Sequence, residues 1–205
     1  MDRNLIILAL TGASGVQYGL RLLECLLQGG KSVYLMISPA AQVVVATETD
    51  IKLPQQTQEI SAFLSKRFNT NPDLLQVFGK DQWMAPVASG SHRAYAMVVC
   101  PCSSGSLAAI AGGSSDNLIE RAADVMLKEQ RKLILVPRET PLSLIHLENM
   151  TRLARMQAVI LPANPGFYHR PQKIEELVDF IVARILDHLQ IEHQLMARWG
   201  EDAGH

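Results

Sequence analysis

Residues 4–19, NLIILALTGASGVQYG, decide the fold. Leu5–Leu10 is apolar without alternation and too short for an ordinary helix, so it reads as a strand buried on both faces. Thr11–Gly15 is a turn of small residues, and Gly19 follows one helical turn later. A strand that runs through such a turn into a helix is the first half of a βαβ unit. The exposed amides of the turn and the positive end of the helix suit a phosphate, although a plain tight connection would look the same. The turn has neither the GxGxxG dinucleotide fingerprint nor the Gly-Lys-Ser/Thr of a Walker A loop, which favours a mononucleotide.

The same segment raises the question of a signal peptide. Its apolar run is shorter than a normal export core, and Asp2 stands among the leading charges. No uninterrupted apolar stretch reaches membrane-spanning length, so the expectation is a soluble cytoplasmic protein.

Outward from this unit, short aliphatic runs alternate with amphipathic stretches. Strands are expected at Asn4–Leu10, Ser32–Ile37, Ala94–Cys100, Lys132–Val136 and Ala158–Leu161, with Leu74–Phe78 as a weaker sixth. The five stronger runs end in TGASG, SPA, PCSSGS, PRETP and PANPGF. Ligands of open parallel sheets sit at the carboxyl ends of strands, so these loops converge on one site. The fold class is therefore α/β, a Rossmann-like or flavodoxin-like three-layer sandwich around a central parallel sheet. Residues 1–189 read as one mononucleotide-binding domain. Residues 190–205 read as a tail that docks on a neighbouring subunit through Leu195, Met196 and Trp199.

Helix punctuation agrees. Ser38 is an N-cap followed by Pro39 at the first helical position. Asn117 with Glu120 is a variant capping box opening a helix through Lys128. Gln172–Leu189 is a long helix with Ile174, Leu177, Val178, Ile181, Val182, Ile185 and Leu189 on one face.

Composition narrows the function. Net charge is −1 and no Lys/Arg run occurs, which argues against nucleic acid or an anionic membrane as partner. Any bound anion must be caught by a few placed residues. Cys25, Cys100 and Cys102 have no spacing typical of disulfides or zinc and read as buried or loop thiols. His92, His146 and His169 lack a companion at metal or triad spacing.

Several residues stand where chemistry is delivered. Ser103, Ser104, Gly105 and Ser106 make a second anion cradle at a helix start, or a serine cap with surplus hydroxyls. Arg121 and Lys128 border the buried stripe of one helix two turns apart. They either clamp an anion or lay their stems over apolar surface with the charges in water. Arg138 and Glu139 follow the fourth strong strand directly, suiting phosphate binding and proton handling, or a surface ion pair. Glu48, Tyr168 and Arg184 complete the candidates.

Taken in order, TGASGVQYGLRLLE, ATETD, DQWMAP, CPCSSGSLAAIAGG, NLIERAADVMLKE, LVPRETPLSLIHLENM and PANPGFYHRPQ resemble the flavin prenyltransferases, the UbiX family. The resemblance runs nearly end to end. It implies transfer of a dimethylallyl group from a phosphate ester, usually dimethylallyl phosphate, to N5 and C6 of reduced FMN. The product would be prenylated FMN for a UbiD-type decarboxylase, as in ubiquinone biosynthesis. It further implies FMN contacts from Gly12, Ala13, Ser14, Ser38, Ser103, Ser104, Gly105, Ser106 and Arg138. Lys128, Tyr168 and Arg184 would meet the prenyl phosphate, with Arg121 and Glu139 beside it, in a homo-oligomer of trimers, as a dodecamer. No DDxxD motif is present, so cations rather than Mg²⁺ would stabilise the leaving phosphate, each by about 2–4 kcal/mol. Trp83 is the candidate π-rich wall for an allyl cation. Glu48 and Glu139 are candidates for proton removal, and Ser14 for orienting the flavin near N5. Ser106 stands where relatives often carry Thr, and Gln157 where Gly-Ala is common. The competing readings are a flavin-dependent cysteine-type decarboxylase, a flavin-carrying chaperone subunit and a direct 4-hydroxybenzoate decarboxylase. The sequence lacks the PASANT and PxMNxxMW blocks of the first, and a carrier would need no second phosphate pocket.

Overall fold

The computed structural model describes residues 2–196. Six strands form one all-parallel sheet: β1 (Asp2–Leu10), β2 (Ser32–Ile37), β3 (Leu75–Phe78), β4 (Ala94–Cys102), β5 (Lys132–Pro137) and β6 (Val159–Ile160). Their order is β3-β2-β1-β4-β5-β6, a doubly wound arrangement that reverses between β1 and β4. The weaker sixth candidate is thus an edge strand, and each expected strand is found within one or two residues of its expected bounds.

Strand β1 shows why both faces must be covered. Ile6, Leu8 and Leu10 enter one core, and Leu5, Ile7 and Ala9 enter the other. The first core is roofed by α1 (Val16–Gln28), α2 (Pro39–Glu48), α3 (Thr57–Arg67) and α7 (Ile174–Leu189). The second is roofed by α4 (Ser104–Gly112), α5 (Leu118–Lys128) and α6 (Leu144–Arg155).

Local chemistry sets the helix ends. The Ser38 hydroxyl accepts from the Ala41 amide at 3.1 Å, with Pro39 opening α2. Asn117 caps α5 through the amides of Ile119 and Glu120. The box there is closed differently from expectation: Glu120 accepts from the Asn117 side chain and the Asp116 amide instead of the cap's own N–H. Helix α7 starts at Ile174, two residues later than expected. Lys173 is extended, and the Gln172 amide is held by the Glu176 carboxylate. Ile174 accordingly lies outside the packed stripe and is exposed, while Ile181, Val182, Ile185 and Leu189 are buried. After α7 the chain turns back, and Ile191 and Leu195 pack against their own chain's core. Trp199, the third docking candidate of the tail, lies outside the described residues.

One glycine determines how closely a helix approaches the sheet. A Cβ at Gly19 would stand 2.2 Å from the Cys100 carbonyl oxygen, so α1 can press on the end of β4 only without a side chain there. Gly19→Ala should therefore destabilise the protein by about 1–3 kcal/mol through overpacking. Urea unfolding followed by circular dichroism checks this; a midpoint equal to wild type would show that the helix–strand contact yields freely.

Candidate functional site

The strand order reverses between β1 and β4, and the segments that follow them, the 11–15 loop and the cap and first turn of α4 at 103–106, stand side by side at one end of the sheet. Loop 11–15 leads to α1 on one face of the sheet; Ser103 leads to α4 on the other. The crevice between them is the expected ligand position for this topology.

The two helix starts differ in electrostatic state. At α1, Gly15 takes a left-handed conformation with φ 97°, and the amides of Gly15 and Val16 both donate to Glu48 Oε2, at 2.9 and 3.3 Å. The donors that the sequence offers to a phosphate are thus served by a carboxylate from the end of α2. Gln17 holds that same helix end by donating to the Glu48 carbonyl. At α4, Ser103 is the cap: its hydroxyl accepts from the Ser106 amide and donates to the Ser106 hydroxyl. The amides of Ser104 and Gly105 have no acceptor among the described residues, and a Cβ at Gly105 would meet nothing within 4 Å. These open amides at the positive end of a helix suit an anionic oxygen.

Arg138 and Glu139 do not pair with each other. Arg138 Nε donates to the Ser14 carbonyl at 3.2 Å, crossing from the end of β5 to the first loop. Glu139 turns the other way, accepting from the Ser104 hydroxyl at 2.7 Å and the Thr140 amide at 3.0 Å. The guanidinium thus acts on both carboxylates. Burial pushes the Glu48 carboxyl up, but hydrogen bonds from the Ser14 hydroxyl and the Gly15 and Val16 amides, with the Arg138 charge, outweigh it. The net effect holds Glu48 below the usual carboxylate range. Glu139 is also held low, by the Ser104 hydroxyl, the Thr140 amide and the charge of Arg138. Both carboxylates are ionised at neutral pH.

The remaining candidates lie elsewhere on the chain. Arg121 donates to the Ala88 carbonyl at 3.0 Å and to Asp124 at 2.8 Å. Lys128 is exposed and pairs with Glu129 beside Gly90. It sits at the end of α5, just before Lys132 opens β5, whereas Arg138 follows the other end of that strand. A six-residue strand spans about 20 Å, so Lys128 and the crevice are at opposite ends of the sheet. Trp83, half-exposed in the segment after β3, lies on the same flank as α5, where the Leu118 amide meets the Lys80 carbonyl. Arg184 pairs with Asp187 at 2.8 Å, low on α7, where the His188 carbonyl accepts from Lys132. Tyr168 is exposed in the segment after β6. The structure therefore gathers Gly12, Ala13, Ser14, Ser38, Glu48, Ser103–Ser106, Arg138 and Glu139 around loops at one end. It leaves Trp83, Arg121 and Lys128 on one flank, and Tyr168 and Arg184 on the C-terminal part.

Cys100 and Cys102 are buried, and burial pushes both thiols well above their usual range, which keeps them unreactive. His146 closes a capping box with Ser143, and His92 stacks on Tyr34. Among the described residues no cluster of His, Cys, Asp or Glu is placed to hold a metal, and no helix is long and apolar enough to cross a membrane. A cavity of about 530 Å³ between α1, α3 and α7 contains none of the candidates, and its arginines are paired with Asp179, Glu24 and Asp50.

Thr11 and Gln17 also hold the site together, through bonds that the sequence does not announce. Nothing in a lone Thr after a strand, or a lone Gln in the first turn of a helix, distinguishes a bridging side chain from an exposed one.

Residues 1–186 match the family model described as Flavoprotein. A protein of Pseudomonas aeruginosa named flavin prenyltransferase UbiX is 59% identical over 196 residues, covering 96% of this chain and 94% of that one. The crystal structure described as AnUbiX (PadA1) in complex with FMN and dimethylallyl pyrophosphate superposes with a TM-score of 0.85. It is 41% identical and covers 97% of this chain and 98% of its own. A dodecameric FMN-dependent Ubix-like decarboxylase from Escherichia coli O157:H7 gives a TM-score of 0.83 at 38% identity, covering 95% of this chain and 98% of that one.

The Glu48 contacts carry a pH signature. Because its carboxyl is held low in the folded state, its stabilising contribution is complete above the ordinary pKa of about 4.5 and is lost as pH falls through the lowered folded value. Glu48→Gln should cost about 1 kcal/mol at neutral pH, as for loss of a helix cap, with the gap to wild type closing in acid. Parallel denaturation series at pH 7 and pH 3 test this; a gap that stays constant would contradict it.

Proposed function

The chain belongs to the flavoprotein family and, within it, to the UbiX flavin prenyltransferases, and from that premise we propose how its residues divide the joining of a dimethylallyl group to reduced FMN. The observation that carries this division is the crevice at the strand reversal. There, open helix amides, a guanidinium and two ionised carboxylates gather around one crevice. Reduced FMN, when bound, supplies the nucleophilic ring that takes the prenyl group at N5 and C6.

This chain's residues bind and orient it. The Ser104 and Gly105 amides, the hydroxyls of Ser38, Ser103 and Ser106, and Arg138 supply the donors an FMN phosphate and ribityl chain require. Gly12 and Ala13 let the first loop lie flat against the ligand. The Ser14 hydroxyl, fixed by Glu48, is placed near N5, where it would take the proton lost from N5 as it hands its own to that carboxylate. Glu139, at the mouth, is placed to take the proton that leaves C6. Their depressed pKa values keep both ionised at neutral pH, so neither carries a proton to donate.

The donor is a dimethylallyl phosphate ester. Its leaving phosphate meets Lys128, Tyr168 and Arg184, with Arg121 nearby and Trp83 as the π-rich wall. Lys128 lies at the far end of the sheet from the crevice of its own chain, so a neighbouring copy brings it there. The exposed apolar side chains of Met84, Leu144, Ile145 and Phe167 support such an assembly. So does the dodecameric relative. Trimers built into a dodecamer are the proposed form, acting in the cytoplasm and passing prenylated FMN to a UbiD-type decarboxylase. Residues 1–189 form the flavin-binding unit in this reading.

Anaerobic incubation with reduced FMN and dimethylallyl monophosphate or diphosphate, followed by mass spectrometry of the released flavin, should show a gain of one prenyl unit. A flavin of unchanged mass, with binding intact, would refute the reading. Lys128→Ala should retain FMN but lose about 10²–10³-fold in turnover, the usual cost of one preplaced charge. Unaltered turnover would remove Lys128 from the site.

A further inference from the structure

Beyond the last paired residues of β1 and β4, Ala9 and Val99, the regular ladder between these strands ends. Yet the loops that form the two sides of the crevice begin only after that point. Thr11 bridges the gap. Its side chain is almost fully buried at 1% exposure, one of two buried polar residues among those described. Its amide donates to the Pro101 carbonyl at 3.2 Å, and its hydroxyl donates to that carbonyl at 2.9 Å. The same hydroxyl oxygen accepts from the Ser103 amide at 2.7 Å.

Each partner has a place in the site. Ser103 is the cap of α4, so its backbone position fixes where the open Ser104 and Gly105 amides point. Thr11 is itself the residue before Gly12, Ala13 and Ser14. A single hydroxyl at the end of β1 therefore ties the start of one loop to the start of the other, with its proton on Pro101 in β4 and its lone pair on Ser103 just after it. The bond to Pro101 is buried and that from Ser103 partly so, and their loss leaves an unsatisfied amide and a weakened carbonyl. From the other side, the close approach of α1 at Gly19 presses on Cys100 and denies β4 room to shift inward.

We propose that Thr11 is a positioning residue for flavin binding: its buried hydroxyl sets the separation of the 12–15 loop from the α4 N-terminus, and with it the width of the mononucleotide crevice. This rests on the reading of that crevice as the FMN site. Thr11 touches no ligand in this role; it acts through Ser103 and Pro101.

The test compares Thr11→Val, which keeps the shape and removes the hydroxyl, with Thr11→Ser, which keeps the hydroxyl and removes the methyl. Affinity for oxidised FMN is measured by quenching of flavin fluorescence, beside thermal unfolding of each ligand-free protein. Thr11→Val should weaken FMN binding by about tenfold, as expected for lost buried hydrogen bonds, while Thr11→Ser stays within about threefold of wild type. Equal affinity in wild type and Thr11→Val would overturn the proposal. So would a fall in unfolding temperature without a change in affinity, which marks a merely structural bond, or equal losses in both variants. Failure of the wild type itself to bind FMN would instead overturn the crevice reading.

Discussion

Parallel pairing of β1 with β4, at the point where the strand order reverses, constrains everything at the site. Neighbouring strands are held about 4.8 Å apart by their hydrogen bonds. The chain leaves β1 toward α1 on one face and β4 toward α4 on the other. The two departures open a crevice that no side chain of the sheet can fill, and two helix starts look into it from opposite sides. Thr11 joins the two loops across the end of the ladder, and Gly19 lets α1 lie against β4. Arg138 then reaches from the next strand, β5, to close the same edge.

What distinguishes the two helix starts is which charge satisfies them. The α1 end is neutralised from within by Glu48, whereas the amides at the α4 end stay open. A carboxylate bound in this way is costly to protonate, so Glu48 doubles as a structural cap and an ionised group beside the crevice. Glu139 reaches a similar state by a different route, exposed but held by a hydroxyl and an amide. One guanidinium between them stabilises both charges. The proposed chemistry therefore needs no metal to organise the flavin side of the site.

Much of this was legible in the sequence because it depends on local patterns. The unalternating run Leu5–Leu10, the glycine turn after it and the caps at Ser38 and Asn117 are each set by neighbours within a few residues. Helix α7 starts later than the apolar period alone implies, because Gln172 and Lys173 have no strong preference and the Glu176 carboxylate binds Gln172 ahead of the helix. Ile174 fits the apolar period yet lies beyond the end of the packed stripe, where there is nothing to bury it. The capture of the Gly15 and Val16 amides by Glu48 joins residues more than thirty apart, which no local pattern encodes. The same holds for Thr11 and Ser103. The separation of Lys128 from the crevice follows from topology: α5 runs back toward the start of β5, so the residues at its end face the far pole of the sheet.

That separation makes the shared site the central claim, and subunit complementation tests it most directly. Glu139→Gln disables the flavin side, and Lys128→Ala disables the prenyl phosphate side. The two variant oligomers are dissociated, mixed and reassembled, and prenylated flavin is counted by mass. If a neighbouring copy completes each crevice, the mixture regains activity that neither variant shows alone. If each chain carries a whole site, the mixture gives no more than the sum of its inactive parents, and the account is wrong.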